Sequence, residues 1–144
     1  MFELALDQLE TAILNACLEE EEKAWPAQVS AGICAGVDFA ISTPGLIEAI
    51  ASDSGEKSGF QDRYERLIGR LTGFLRVKAP IEARLPTSTD EAMVAGIVGL
   101  VGDHVRVGRI DRLKELRPEL VLLVLLPYLG FTEAQRWAEQ VADA

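Results

Sequence analysis

Apolar residues recur along most of this chain at intervals of three and four, the spacing of one face of an α-helix. Phe2, Leu6, Leu9, Ile13, Ala16 and Cys17 make the first stripe, widened by Ala5 and Ala12, while Glu3, Asp7 and Glu10 lie off it. The stripe runs into Glu19-Glu20-Glu21-Glu22. Four carboxylates at the negative end of a helix dipole are unfavourable there, and they predict a solvated, fraying end rather than a calcium site. Trp25-Pro26 restarts a helix, because proline suits the first helical position. Val29, Ile33, Val37 and Ile41 share its apolar face. The small residues Ala27, Ala31, Gly32, Ala35 and Gly36 permit close approach by another element and leave room for something other than protein. Thr43-Pro44-Gly45 reads as a cap for a short helix over Leu46 to Ala51, and Ser52 to Gly59 reads as a loop. Ser58 and Gln61 have capping-box spacing for the next helix, which carries Phe60, Tyr64, Leu67, Ile68, Leu71 and Leu75 on one face. Arg63, Arg66 and Arg70 fall on the other and read as a solvated face.

The later part of the chain is far more apolar. Lys78 to Thr87, with Pro80 and Pro86, reads as a connection, and Ser88 with Glu91 is a second capping box. From Ala92 to Gly102 there is no charged residue. Each glycine costs about 1 kcal/mol relative to alanine inside a helix, so Gly96 and Gly99 need a compensating reason. Ala92, Ala95, Gly96 and Gly99 share a face, and close helix–helix contact supplies one. Ile110 to Leu116 predicts an amphipathic turn or short helix. Pro118 then opens a helix through Leu129 in which Leu120 to Leu126 are all apolar. A helix with no polar face is buried on every side, and a run this short falls well below the roughly 20 residues that span a bilayer. In so small a chain the pattern predicts burial against a second copy. Gly130 provides the stop. Thr132 and Gln135 cap a last amphipathic helix carrying Trp137 and Val141. Period-two alternation is rare, and the chain reads as all-α.

Composition narrows the partners. A chain of 144 residues is one domain by size, residues 1–144, and 49% hydrophobic with 26% charged residues is the balance of a globular protein. The net charge of −9 disfavours phosphate backbones. No secretory signal opens the chain and no segment is long enough to span a membrane, so a cytoplasmic protein with reduced Cys17 and Cys34 is expected. Enzyme constellations fail on inventory. Phosphate loops, paired-histidine metal motifs and Cys-x-x-Cys are missing, and His104 is the single histidine. No catalytic residue, metal site or cofactor is expected.

Trp25-Pro26, the helix opened by Asp90-Glu91-Ala92-Met93-Val94-Ala95-Gly96-Ile97, and Pro118-Glu119-Leu120-Val121 through Pro127-Tyr128-Leu129-Gly130 occur in an order that closely resembles the ligand-binding, C-terminal part of TetR/AcrR-type transcriptional regulators. The likeness spans nearly the whole chain, and the segment around Phe2-Glu3-Leu4-Ala5-Leu6 looks like the part of the family's fourth helix that follows its DNA-recognition helix. A complete member would carry a helix-turn-helix domain ahead of this segment, so DNA binding is expected only through that further domain. The resemblance implies that Asp90–Val105 and Pro118–Leu129 pair with their symmetry mates in a four-helix homodimer interface, drawn from Ala92, Gly96, Gly99, Leu100, Leu120, Leu123, Val124 and Pro127. It also implies a cavity for a small, largely apolar effector. Phe39, Phe60, Tyr64, Leu67, Ile68 and Leu71 are candidate lining residues, with Asp38 placed to meet a polar or cationic group. A helical apolar-ligand carrier or small helical enzyme sharing only this architecture is the alternative.

Overall fold

The computed structural model describes residues 3–19, 24–43, 45, 59–80 and 85–143. Among these, six α-helices form: α1 (Glu3–Glu19), α2 (Trp25–Ser42), α3 (Gly59–Lys78), α4 (Thr87–Arg106), α5 (Leu113–Leu129) and α6 (Phe131–Ala142). A 3₁₀ turn, Ile110–Arg112, leads into α5. No described residue is in a strand, so the chain is all-α. The expected helix over Leu46 to Ala51, the loop before α3 and the Ser58–Gln61 cap fall outside the described residues.

The helix ends depart from the expected caps for identifiable reasons. Helix α4 starts at Thr87, and Ser88 lies inside its first turn rather than capping it. Pro86, with φ −57° and ψ 146°, turns the chain inward, and its carbonyl accepts the Thr89 and Asp90 N–H groups at 2.9 and 3.4 Å. Helix α5 begins five residues before Pro118, which it therefore contains. Proline has no N–H for the carbonyl four residues back. Arg117 Nε instead donates to that oxygen, on Lys114, at 3.2 Å. Pro127 repeats the interruption near the C-terminal end, where Leu123 and Pro127 are both exposed and water can reach the backbone. Gly130, at φ 83°, both ends α5, through an N–H bond to Leu126, and opens α6. That sharp turn leaves Thr132 no cap to make.

Helix α2 is the central element. It runs antiparallel to α5, with Trp25 against Tyr128 at one end and Asp38 paired with Arg117 at the other. Val37 and Ala40 join Val101, Val105, Leu113, Leu116 and Leu120 in one core cluster. Trp25, Val29, Leu75, Val94, Val121, Val124, Leu125 and Tyr128 form a second, which α6 completes through Ala134. Leu6, Leu9 and Leu67 join α1 to α3 in a third. Burying one such leucine contributes about 1.5–3 kcal/mol. The run whose pattern predicts burial against a second copy is thus largely covered within the chain. Leu120, Val121 and Leu125 are fully buried because α2, α4 and α6 all pack on α5. Only Leu123 and Leu126, 43% and 39% exposed, remain open among its aliphatic side chains.

Helices α1 and α2 approach closely at Gly32. A Cβ placed there would lie 2.8 Å from Cys17 Sγ and 3.4 Å from an Ile13 methyl. Gly32→Ala is therefore expected to destabilise the fold by about 1 kcal/mol, crowding outweighing the gain in helix propensity. In a Cys17→Ala background the same change is expected to stabilise. Urea denaturation of the four proteins checks this, and an effect of one sign in both backgrounds would contradict the contact.

Candidate ligand cavity

Helices α1 to α5 do not close completely on one another. Between them lies an apolar cavity of about 140 Å³. Leu9, Ile13 and Cys17 of α1 form one wall, and Gly32 and Gly36 of α2 border it where the two helices approach closely. Tyr64, Leu67 and Leu71 of α3, three of the expected lining residues, border it as well. Ile97, Val98 and Val101 of α4 and Leu120 and Val124 of α5 line its remaining sides. A larger residue in place of Gly32 or Gly36 would close on α1, since even a Cβ at Gly36 would sit 3.4 Å from an Ile13 methyl. The missing side chains of α2 thus let Ile13 and Cys17 of α1 pack closely at the cavity's edge.

Other expected site residues are placed differently. Asp38 points away from the cavity and is 57% exposed, its carboxylate 3.8 Å from Arg117. A helix so apolar on its inner side can carry an acid only on the outer one. Phe39, half-buried, packs against the Leu6–Leu9–Leu67 cluster rather than lining the cavity. Ile68 turns to the cluster around Trp25 and Tyr128. The Phe60 side chain lies outside the described residues. Among the expected interface residues, Ala92, Gly96, Gly99, Leu123 and Pro127 are exposed, whereas Leu100 is half-buried. Leu120 and Val124 are 0% and 3% exposed and face the cavity. Contrary to expectation, these two belong to the inner wall of α5, because its covered arc is turned toward α2 and α4.

Polar chemistry around the cavity is sparse. The Cys17 thiol donates to the Gln28 carbonyl at 3.3 Å. Burial pushes its pKa from 9.0 up to about 11, against a smaller lowering effect from a backbone hydrogen bond at Gly32. Burial likewise raises the Cys34 thiol, opposed in part by Arg117. Thiols held neutral in this way are poor nucleophiles. His104 Nδ1 lies 3.0 Å from the Leu100 carbonyl one turn back in its own helix. Among the described residues no cluster of His, Cys, Asp and Glu is arranged to hold a metal, and no helix is long and apolar enough to cross a membrane.

Two polar features escaped the sequence reading. Arg63 and Arg70, which read as a solvated face, pair with Asp7 and Glu10 of α1 at 2.5 and 2.7 Å, and so tie α1 to α3. Asp90, 1% exposed in the first turn of α4, accepts a hydrogen bond from the Tyr128 hydroxyl of α5. Its second oxygen has no hydrogen bond among the described residues and faces Arg76 of α3 at 3.6 Å. The one sequence signal for Asp90 was an acid one helical turn before Val94, on the face that α4 buries.

Compared with known proteins, the chain matches no family model, no curated protein and no solved structure at a significant level.

Proposed function

We propose that this chain is the effector-sensing and dimerisation part of a transcriptional regulator of the TetR/AcrR type, in which a small, largely apolar ligand occupies the cavity. The observation that carries this reading is the apolar cavity itself, bordered by five helices and lined among the described residues almost wholly by aliphatic and aromatic side chains. The residue pattern that resembles the family supports the regulatory role. Helices α4 and α5 also keep uncovered faces of the kind that a second copy would cover. Nothing lies within 4 Å of a Cβ at Gly96 or Gly99, and Leu123, Leu126 and Pro127 are exposed on α5.

The proposed mechanism is a population shift. Leu120 and Val124 touch the cavity while Leu123 and Pro127 of the same helix face outward. A ligand that favours one position of α5 thereby biases how two protomers meet, and so the spacing of the DNA-reading domains joined to them. A free-standing carrier would use the cavity alone and have no need of the outward faces.

The test is a fusion of this chain behind the helix-turn-helix domain of a TetR-type repressor. The fusion should bind that repressor's palindromic operator at least tenfold more tightly than the isolated helix-turn-helix domain, because dimerisation links two half-site contacts. Operator affinity equal to that of the isolated domain would contradict the proposal.

A further inference from the structure

We infer that the ligand of the cavity is an uncharged single-ring hydrocarbon, aromatic or alicyclic, with no obligatory polar group. This deepens the effector reading and rests on it. Size is the first argument. The cavity measures about 140 Å³, and an apolar cavity of about 150 Å³ is known to stay dry and accept benzene. A ring with a short alkyl substituent matches that space.

Polarity is the second. The surrounding walls are helices, whose backbone groups are engaged with one another. Among the described lining residues, side-chain polarity comes only from Cys17 and Tyr64. The Cys17 thiol is committed to the Gln28 carbonyl, and Tyr64 is engaged within the fold. A ligand that must donate or accept a strong hydrogen bond would lose it on entry.

Charge is the third. Among the described residues no charged side chain lines the cavity. Arg63 and Arg70, next in sequence to the lining residues Tyr64 and Leu71, are paired with Asp7 and Glu10. The buried charge of the adjoining cluster is Asp90, which opposes an anion. A carboxylate or ammonium would enter with no partner, and an unpaired charge in such surroundings is strongly disfavoured.

Methyl NMR titrations of the wild-type protein with toluene, benzoate, benzylamine and hexadecanoate test this directly. Toluene should shift the methyl signals of Ile13, Ile97 and Val98 saturably. Benzoate and benzylamine, charged at neutral pH, should bind at least a hundredfold more weakly, and hexadecanoate should fail to displace toluene. Val98→Trp, or Leu71→Trp if the first does not fold, should abolish the toluene shift at Ile13 with helicity retained. A benzoate or benzylamine ratio under a hundredfold, or displacement by hexadecanoate, would overturn the ligand class but leave a ligand-binding cavity. Toluene shifts that persist in the filled variant would place binding elsewhere and overturn the inference. No shift with any of the four compounds would overturn the effector reading along with it.

Discussion

Replacing Asp90 with alanine is expected to cost about 2–4 kcal/mol of folding stability, since it removes the acceptor of a buried hydrogen bond to a charged group and strands its donor. Asp90 joins three helices, taking the Tyr128 hydroxyl of α5 and facing Arg76 of α3 from the first turn of α4. The arginine is 46% exposed and contributes the smaller part, because solvent screens it. Tyr128→Phe should be costly for the complementary reason, leaving a buried carboxylate short of a partner. The double variant should then cost less than the sum of the two, because each single change strands what the other removes. Urea denaturation of the wild type and the three variants gives the cycle, and additive costs would contradict the network. Burial, reinforced by Asp90, raises the Tyr128 pKa above its ordinary value of 10.0. The unfolded chain therefore releases that proton first, so this contribution is complete below pH 10 and declines as pH rises.

Gly96→Leu combined with Gly99→Leu is expected to raise the dimer dissociation constant at least a hundredfold without harming the protomer. In a single chain nothing lies within 4 Å of a Cβ at either site. Within a protomer, leucine should therefore stabilise the helix, by up to about 1 kcal/mol per site. Across a close-packed interface it would push the helices apart, and losses of this size are typical where central contacts are spoiled. Sedimentation equilibrium measures the first effect and urea denaturation the second. A stabilised variant with unchanged association would remove α4 from the interface. The pairing of opposite signs is useful because simple misfolding would lower both quantities.

Much of this architecture was legible in the sequence because helical periodicity is a local property. The Trp25-Pro26 start, the Gly130 stop and the apolar faces of α1, α3 and α6 all follow from residues a few positions apart. The close approach of α1 to α2 was legible too, in Gly32 and Gly36. What periodicity does not give is direction around a helix whose every side is apolar. Leu120 and Leu123 look alike in sequence, yet one is fully buried and the other 43% exposed. The same limit hid Leu120 and Val124 as cavity walls. Long-range charge pairing was equally silent. Asp90 meets Tyr128 across 38 positions and Arg63 meets Asp7 across 56.

The cavity and the uncovered faces of α4 and α5 meet in one helix, and the regulatory reading depends on a second copy completing that arrangement. Light scattering on a sizing column at micromolar concentration tests this most directly. The account predicts a mass of twice 15.7 kDa. A well-behaved species of 15.7 kDa would contradict it.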